Sequence, residues 1–228
     1  MHTQVKVWDW SLRVFHWSLP ILLFLLWFSA TQSSSFDRLE HHMILAQILM
    51  GLVIYRIIWG FIGTPAARFS RFLYGPGRIG RYAQSLLQRQ PQHYLSHNPM
   101  GGLMVLVLLG VLAFQLLTGL FTTDDILFDG PLVAGTARET VRWMSGWHRT
   151  FFFDWILPLI ALHLFAILLH KLLGEGLVKA MFTGRKPHTP HTQDAQNLCP
   201  ESAAFPWARF GLAVILAVAP VVYIFHLS

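Results

Sequence analysis

The fold is indicated most clearly by residues 142–171, which read RWMSGWHRTFFFDWILPLIALHLFAILLHK. This mostly apolar stretch contains two histidines, His148 and His163, that are 15 residues apart. Fifteen residues of α-helix rise about 22 Å and return to within about 60° of the starting face, so both imidazoles can project from one side at two depths. The stretch therefore predicts a membrane-spanning helix with two stacked metal-ligand positions.

The composition extends this interpretation to the whole chain. Of the 228 residues, 54% are hydrophobic and only 12% are charged, a balance typical of an integral membrane protein. Five apolar runs approach the length that crosses a bilayer, at residues 14–30, 43–62, 101–121, 155–173 and 210–227. The predicted fold class is all-α, a membrane-embedded helical bundle.

Charged residues are distributed unevenly between the loops. The loop after the second run carries five arginines and no acid, whereas the loop after the third contains Asp124, Asp125 and Asp129. An excess of Lys and Arg keeps a loop cytoplasmic, so we expect the N-terminus inside and the C-terminus outside. Because the bases lie in short loops beside apolar runs, the net charge of +6 does not indicate a nucleic-acid partner.

The cysteine content excludes several kinds of redox centre. Cys199 is the single cysteine, so the chain cannot hold an iron–sulfur cluster through Cys ligands or attach a haem covalently in the usual way. Any redox cofactor must therefore be bound through other ligands, and histidine is the candidate.

Depth along the predicted helices pairs the histidines. His42 and His148 each open an apolar span at the outer face, so these two can share a site. His16 lies 14 residues before the end of the first run and His163 lies 15 residues after His148, which places both about 21 to 22 Å from the outer boundary. Two imidazoles on opposite sides of a haem iron leave no open position, which suits electron transfer. The sequence therefore predicts two bis-histidine sites.

Other histidines compete for these roles. His41 lies about 100° around the helix from His42, so only one of the two can face a given haem. His170 lies seven residues after His163 on nearly the same face, at the inner boundary, where we expect an interfacial residue near a propionate or a quinone. Each histidine alone could instead be an interfacial polar residue.

One arginine, Arg56, lies well inside an apolar run. A buried guanidinium needs an anion or a route to the headgroups. Arg56 is therefore a candidate partner for a haem propionate at the inner site, and snorkelling to the cytoplasmic face is the alternative.

Shorter sequence motifs predict the remaining elements and the domain boundaries. Pro76 begins a short amphipathic helix, and Asn98 and Pro99 have the character of an N-cap and first residue for the third span. From Gly184 to Pro206 the chain is rich in Pro, Thr, Gln and His, which predicts a flexible cytoplasmic linker. We therefore expect a di-haem membrane domain at 1–186, a linker at 187–206 and an additional transmembrane helix at 207–228.

Several motifs resemble those of a known family. They are VWDWSLRVFHW at 7–17, RIIWGFIG at 56–63, YGP at 74–76, HNPMG at 97–101, LTGLF at 117–121 and ALH at 161–163. Over roughly residues 5–186 the chain is similar to the b-type di-haem cytochrome membrane subunit of nickel-iron hydrogenases and its bacterial relatives. The resemblance implies a four-helix bundle in the bacterial inner membrane that binds two haems b, with His16, His42, His148 and His163 as the axial ligands.

The chain departs from that family pattern in three places. The resemblance implies Gly four residues after the second-helix ligand, where this chain has Ala46. It implies a spacing of about 14 between the fourth-helix ligands, and a distortion near Pro158 would absorb the extra residue found here. The fifth helix has no counterpart in the minimal bundle, so we expect it to dock a partner.

The function implied is membrane electron transfer between the quinone pool and a periplasmic partner, either a cytochrome c or a dehydrogenase or hydrogenase subunit. The acids Asp124, Asp125 and Asp129 could steer a basic cytochrome. One alternative is a self-sufficient oxidoreductase that couples quinone to a small diffusible oxidant or radical. The other is a non-haem transporter or assembly factor whose histidines relay protons or carry metal ions.

Overall fold

Helices make up most of the chain in the computed structural model, which describes residues 3–31, 36–90, 92–126, 128–188, 192–194 and 204–226. Within these ranges five segments are long and apolar enough to cross a membrane, as the sequence predicted. They are Trp10–Thr31, Arg38–Ile62, Pro99–Leu120, Arg138–Leu172 and Trp207–His226.

The elements follow the order predicted from the apolar runs, with short helices in the loops. They are β1 (Thr3–Lys6), α1 (Trp10–Thr31), α2 (Phe36–Ile62), a 3₁₀ turn (Pro65–Ala67), α3 (Phe69–Phe72), α4 (Pro76–Leu87), α5 (Pro99–Leu120), α6 (Arg138–Phe151), a π-helical segment (Phe152–Ile156), α7 (Leu157–Leu172), α8 (Leu177–Thr183), β2 (Arg185–His188) and α9 (Trp207–His226). The predicted cap of α5 is confirmed, because Gly101 N donates to Asn98 Oδ1 at 2.7 Å and Pro99 is the first helical residue.

A small two-stranded sheet accompanies the predicted helices. Strands β1 and β2 pair antiparallel, with Thr3 opposite His188 and Lys6 opposite Arg185. The two strands are only four residues long, below the length at which alternation of apolar residues identifies a strand from sequence. The pairing also carries ordered structure past residue 186, where the linker was expected to begin.

The described part of the predicted linker is packed rather than flexible. Asp194 is 2% exposed and accepts hydrogen bonds from the backbone nitrogens of Leu95 and Ser96, at 2.6 and 2.8 Å. The buried carboxylate satisfies two backbone donors that would otherwise lack partners, which explains why a Pro- and Thr-rich segment is held here. Residues 189–191 and 195–203, including Cys199, lie outside the described residues.

Contacts divide the chain into two compact units, each of which is described by itself. The first unit comprises Met1–Val14, Ile57–Val107 and Ala161–Gly211, and the second comprises Phe15–Arg56, Leu108–Ile160 and Leu212–Ser228.

The second unit has an apolar core built from α1, α2, α5, α6, the π-helical segment and α9. Its most deeply buried members include Leu49, Val53, Leu112, Ile156 and Val221. In α9, which is the fifth membrane-spanning helix, Ala213 and Ala217 are also almost completely buried. Small side chains let helix backbones approach closely in lipid, so α9 is an integral part of this packing.

The first unit is organised around the buried carboxylate of Asp9, which precedes α1. Its Oδ1 accepts from Leu12 N at 2.9 Å and from Ser11 Oγ at 2.6 Å, which caps the helix. Its Oδ2 accepts from Trp59 Nε1 at 3.1 Å and from Thr64 Oγ1 at 2.6 Å. One side chain therefore joins the start of α1 to the end of α2.

The predicted distortion of the fourth span is present as a π-helical segment at Phe152–Ile156, directly before Pro158. A π turn accommodates one residue more than an α turn, and the proline provides no backbone N–H to Asp154 four residues earlier. The 15 residues between His148 and His163 therefore span about as much helix as 14 would in a regular one.

Candidate metal centre

Two histidines predicted to share a site lie together in the second unit. The imidazoles of His42 on α2 and His148 on α6 have ring centroids 6.3 Å apart and ring planes at 89°. Both side chains are half-buried. His41, the competing residue, is exposed, so the structure brings His42 rather than His41 to His148.

The ring of His42 is held through one nitrogen. Its Nδ1 lies 3.1 Å from the backbone oxygen of Leu26 and 3.0 Å from Ser29 Oγ. Ser29 Oγ itself donates to the same Leu26 oxygen at 3.0 Å, which leaves its lone pairs for the imidazole. Because a carbonyl can only accept, Nδ1 carries the proton, and Nε2 is the unprotonated nitrogen.

The ring of His148 is held in the same way by α5. Its Nδ1 lies 3.0 Å from the backbone oxygen of Gln115, with the side chains of Gln115 and Thr118 at 3.3 and 3.4 Å. Gln115 Nε2 also donates to the backbone oxygen of His148 at 3.0 Å. Nδ1 is again the protonated nitrogen, and Nε2 is again left with a lone pair.

These two rings fit a haem iron. An imidazole nitrogen binds a transition metal at about 2 Å and lies about 1.1 Å from its ring centre, so two imidazoles on opposite sides of one ion have centroids roughly 6 Å apart. The separation of 6.3 Å agrees with this value. Hydrogen bonds from Nδ1 to carbonyls are the usual support of metal-binding histidines.

The donor set also favours a metal that brings its own ligands. Within the described residues, no group of three or more His, Cys, Asp or Glu side chains is placed to hold a metal ion. Two opposed imidazoles alone are too few for a bare ion, but they complete the coordination of an iron that a porphyrin already holds.

Gly119 supplies the space that His148 occupies. A Cβ at this position would lie 2.9 Å from Cε1 and 3.3 Å from Nδ1 of the imidazole, both closer than normal contact. The side chains of Ser29, Gln115 and Thr118 and the missing side chain of Gly119 were not singled out individually from sequence. The LTGLF motif that contains two of them was the available signal.

The second predicted pair, His16 and His163, is divided between the two units. His16 lies in the second unit, half-buried, with its ring edge-on to Trp17 at a centroid distance of 5.1 Å. His163 lies half-buried on α7 in the first unit. Arg56, the predicted propionate partner, is 3% exposed, so it lies inside the protein rather than extended to the headgroups.

His170, the competitor of His163, is buried at the end of α7, where the sequence predicted an interfacial residue. It is 6% exposed, with Nδ1 3.2 Å from Glu175 Oε2 and Nε2 3.4 Å from Asn98 Nδ2. The carboxylate that follows the helix draws the imidazole inward. Both nitrogens of His170 therefore contact protein groups, whereas the hydrogen-bond contacts described for the rings of His42 and His148 are all at Nδ1.

The acids expected to steer a partner have different surroundings. Asp124 Oδ1 accepts from the backbone nitrogens of Ile126 and Phe128, at 3.1 and 2.8 Å, and so shapes the loop. Asp125 and Asp129 are exposed.

The chain matches the model of a family described as prokaryotic cytochrome b561 over residues 7–184, and it belongs to that family. This match confirms the resemblance identified from the motifs. No curated protein and no solved structure was found to match the chain. Membership identifies a multi-pass membrane protein that binds haem b and transfers electrons across the membrane.

Proposed function

We propose that this protein carries electrons through two haems b between the quinone pool and a periplasmic redox partner. The observation that carries the proposal is the pair His42 and His148, whose ring centroids lie 6.3 Å apart and whose Nδ1 atoms each contact a backbone carbonyl, so that Nε2 of each ring would bind iron. Haem supplies a one-electron change at its iron when bound. If both imidazoles held the iron, they would exclude oxygen and substrates from the metal, which favours electron transfer over oxygen chemistry.

The residues of the chain would position and tune that electron carrier. His42 and His148 would hold the outer haem, and His16 and His163 would hold the inner one. The support for the inner pair is their matched depth in the sequence and the π-helical segment that corrects the register of His163. The buried cation of Arg56 would bind a propionate of the inner haem.

The orientation follows from the charges of the loops. We place the protein in the bacterial inner membrane, with the arginine-rich loop at 63–98 in the cytoplasm, the N-terminus inside and the C-terminus outside. Exposed Asp125 and Asp129 would then face the periplasm. Their charge suits a basic cytochrome c, and a dehydrogenase or hydrogenase subunit is the other partner of this type.

Stopped-flow spectroscopy of the purified, haem-loaded protein tests the function. Addition of a soluble quinol should reduce the haems, and addition of a basic cytochrome c should reoxidise them, more slowly as ionic strength rises. Haems that a quinol does not reduce would contradict the proposal. Continuous quinol oxidation with a small oxidant and no protein partner would support the self-sufficient oxidoreductase instead.

A further inference from the structure

The first unit contains three neighbouring ionisable side chains, His93, Glu175 and His170. The proposed haem ligation uses none of them. His93 Nδ1 lies 3.1 Å from Glu175 Oε1, and His170 Nδ1 lies 3.2 Å from Glu175 Oε2. The exposure of the side chains falls from 54% at His93 to 13% at Glu175 and 8% at His170. One carboxylate therefore bridges an imidazole at the aqueous surface and a buried imidazole at the end of α7.

The hydrogen bonds fix the tautomer of the buried imidazole. Asn98 Oδ1 accepts from Gly101 N at 2.7 Å, so its amide nitrogen is the atom that faces His170 Nε2. An amide nitrogen can only donate, which makes Nε2 of His170 the acceptor and leaves the proton on Nδ1, the nitrogen that lies 3.2 Å from Glu175 Oε2. The contact between Asn98 and Nε2 is long, at 3.4 Å, so a better donor could replace it.

The electrostatics keep the bridging carboxylate charged. Burial alone raises the pKa of Glu175, but the hydrogen bond from His170 and the charges of Lys186, His170 and His93 outweigh it and hold the pKa below its usual value. Lys186 is held in place by the backbone oxygen of Tyr94, at 3.0 Å. Tyr82 also interacts electrostatically with Glu175, and Asp194 with Lys186.

A buried tyrosine, Tyr82, has its ring beside His170, the most buried of these three side chains. The ring of Tyr82 is 1% exposed and nearly parallel to that of His170, with centroids 6.4 Å apart. Burial raises the pKa of Tyr82, so the hydroxyl stays protonated. In the part of the chain that the structure describes, this hydroxyl has no hydrogen-bond partner. A buried donor without an acceptor is destabilising, and a bound acceptor would relieve this.

We propose that His170, Glu175 and His93 carry the protons that a quinone exchanges with the aqueous phase, an inference that rests on the proposed function. A quinol that gives its two electrons to the haems also loses two protons. For each proton, Nε2 of His170 accepts from the quinol hydroxyl while Nδ1 releases its proton to Glu175 Oε2. The protonated carboxyl group then rotates about its Cγ–Cδ bond and gives this proton to Nδ1 of a neutral His93, which releases its Nε2 proton to water. Both rings return to their starting tautomers before the next proton. Quinone reduction runs the same steps in reverse, with Tyr82 donating a hydrogen bond to the quinone oxygen.

The position of these three side chains suits proton exchange with a quinone. His170 lies seven residues after His163 on α7, about 10 Å along the helix and within about 20° of the same face. A quinone at the end of α7 would therefore be near the residue proposed to ligate the inner haem, so electron and proton would leave from one place.

Substitution of the bridging carboxylate tests the proposal. Glu175→Gln keeps the shape of the side chain but cannot relay a proton, and should slow haem reduction by quinol about 10- to 100-fold. The remaining rate should depend more strongly on replacing water by D₂O. Haem content and reduction by dithionite, which requires no quinol deprotonation, should be unchanged. Glu139→Gln, an exposed acid in the first turn of α6, is the matched control.

His93 is the exposed side chain of the three, so it allows a second test that does not require substitution of a buried residue. His93→Ala should slow reduction by quinol, and imidazole added to the buffer should restore the rate, whereas imidazole should not rescue Glu175→Gln. Wild-type rates in both variants, or slow reduction that imidazole does not restore in His93→Ala, would overturn the proton chain. A wild-type protein that exchanges no electrons with quinol would overturn the proposed function as well, which distinguishes the two failures.

Discussion

His148 and His170 lie in the same membrane-spanning segment, Arg138–Leu172, but the groups around them differ. The Nδ1 of His148 donates to the backbone oxygen of Gln115, and we propose that its Nε2 binds iron. The Nδ1 of His170 lies 3.2 Å from a carboxylate oxygen of Glu175, and its Nε2 lies 3.4 Å from the amide nitrogen of Asn98. A carbonyl orients an imidazole without competing for its proton, whereas a carboxylate can accept that proton. The partner at Nδ1, rather than position in the helix, therefore separates a candidate ligand from a candidate proton carrier.

The register between the proposed ligands His148 and His163 offers the strongest test of this comparison. Deletion of Phe153 should convert the π-helical segment to α-helix and leave both haems bound, since one residue fewer restores regular geometry. Insertion of one alanine after Phe153 should rotate α7 by about 100° and release the haem that depends on His163. The haem-to-protein ratio of the two variants measures this. The register argument would be contradicted if the deletion variant lost haem while the insertion variant kept both haems.

The space beside His148 gives the next largest effect. Gly119→Val should displace the imidazole, because even a Cβ would lie 2.9 Å from its Cε1, and one of the two haems should be lost. Gly110→Val, on the same helix but at a position where a Cβ would meet no atom within 4 Å, should keep both. Absorption spectra of the purified variants distinguish the two. Full haem content in Gly119→Val would argue against His148 as a ligand.

Asp9 should affect stability rather than haem ligation. Asp9→Ala removes the cap of α1 and leaves the buried donors of Trp59 and Thr64 without their acceptor, at a cost of about 2–3 kcal/mol. The unfolding temperature should fall by about 5–10 °C while the haem content at low temperature stays the same. Asp125→Asn, at an exposed acid, is the control. An unchanged unfolding temperature would show that this carboxylate is not a structural centre.

The smallest effect concerns the tuning of His42. Ser29→Ala removes one of two acceptors at Nδ1, while the Leu26 carbonyl remains. A less polarised imidazole donates less charge to ferric iron, so the reduction potential of that haem should rise, by less than about 60 mV. Potentiometric titration measures the shift. A fall in the potential would contradict the assignment of His42 Nδ1 as the donor to Ser29 Oγ.

Much of the fold could be predicted because membrane insertion imposes strong patterns on a sequence. The five spans follow from apolar length, the α5 cap from Asn98 and Pro99, and the distortion near Pro158 from a missing backbone donor. The choice of His42 over His41 needed coordinates, since both lie at the same depth. The burial of His170 and Asp194 could not be predicted, because it depends on partners 72 and 98 or more residues away in the chain.

The count of haems in ligand variants tests the central claim most directly. Haem extraction and reduced-minus-oxidised spectra should give two haems b per wild-type chain, one in His42→Ala and one in His148→Ala, with the same haem missing from both. His41→Ala and His170→Ala should keep two. A wild-type chain with a single haem, or a His148→Ala chain that keeps both, would contradict the account.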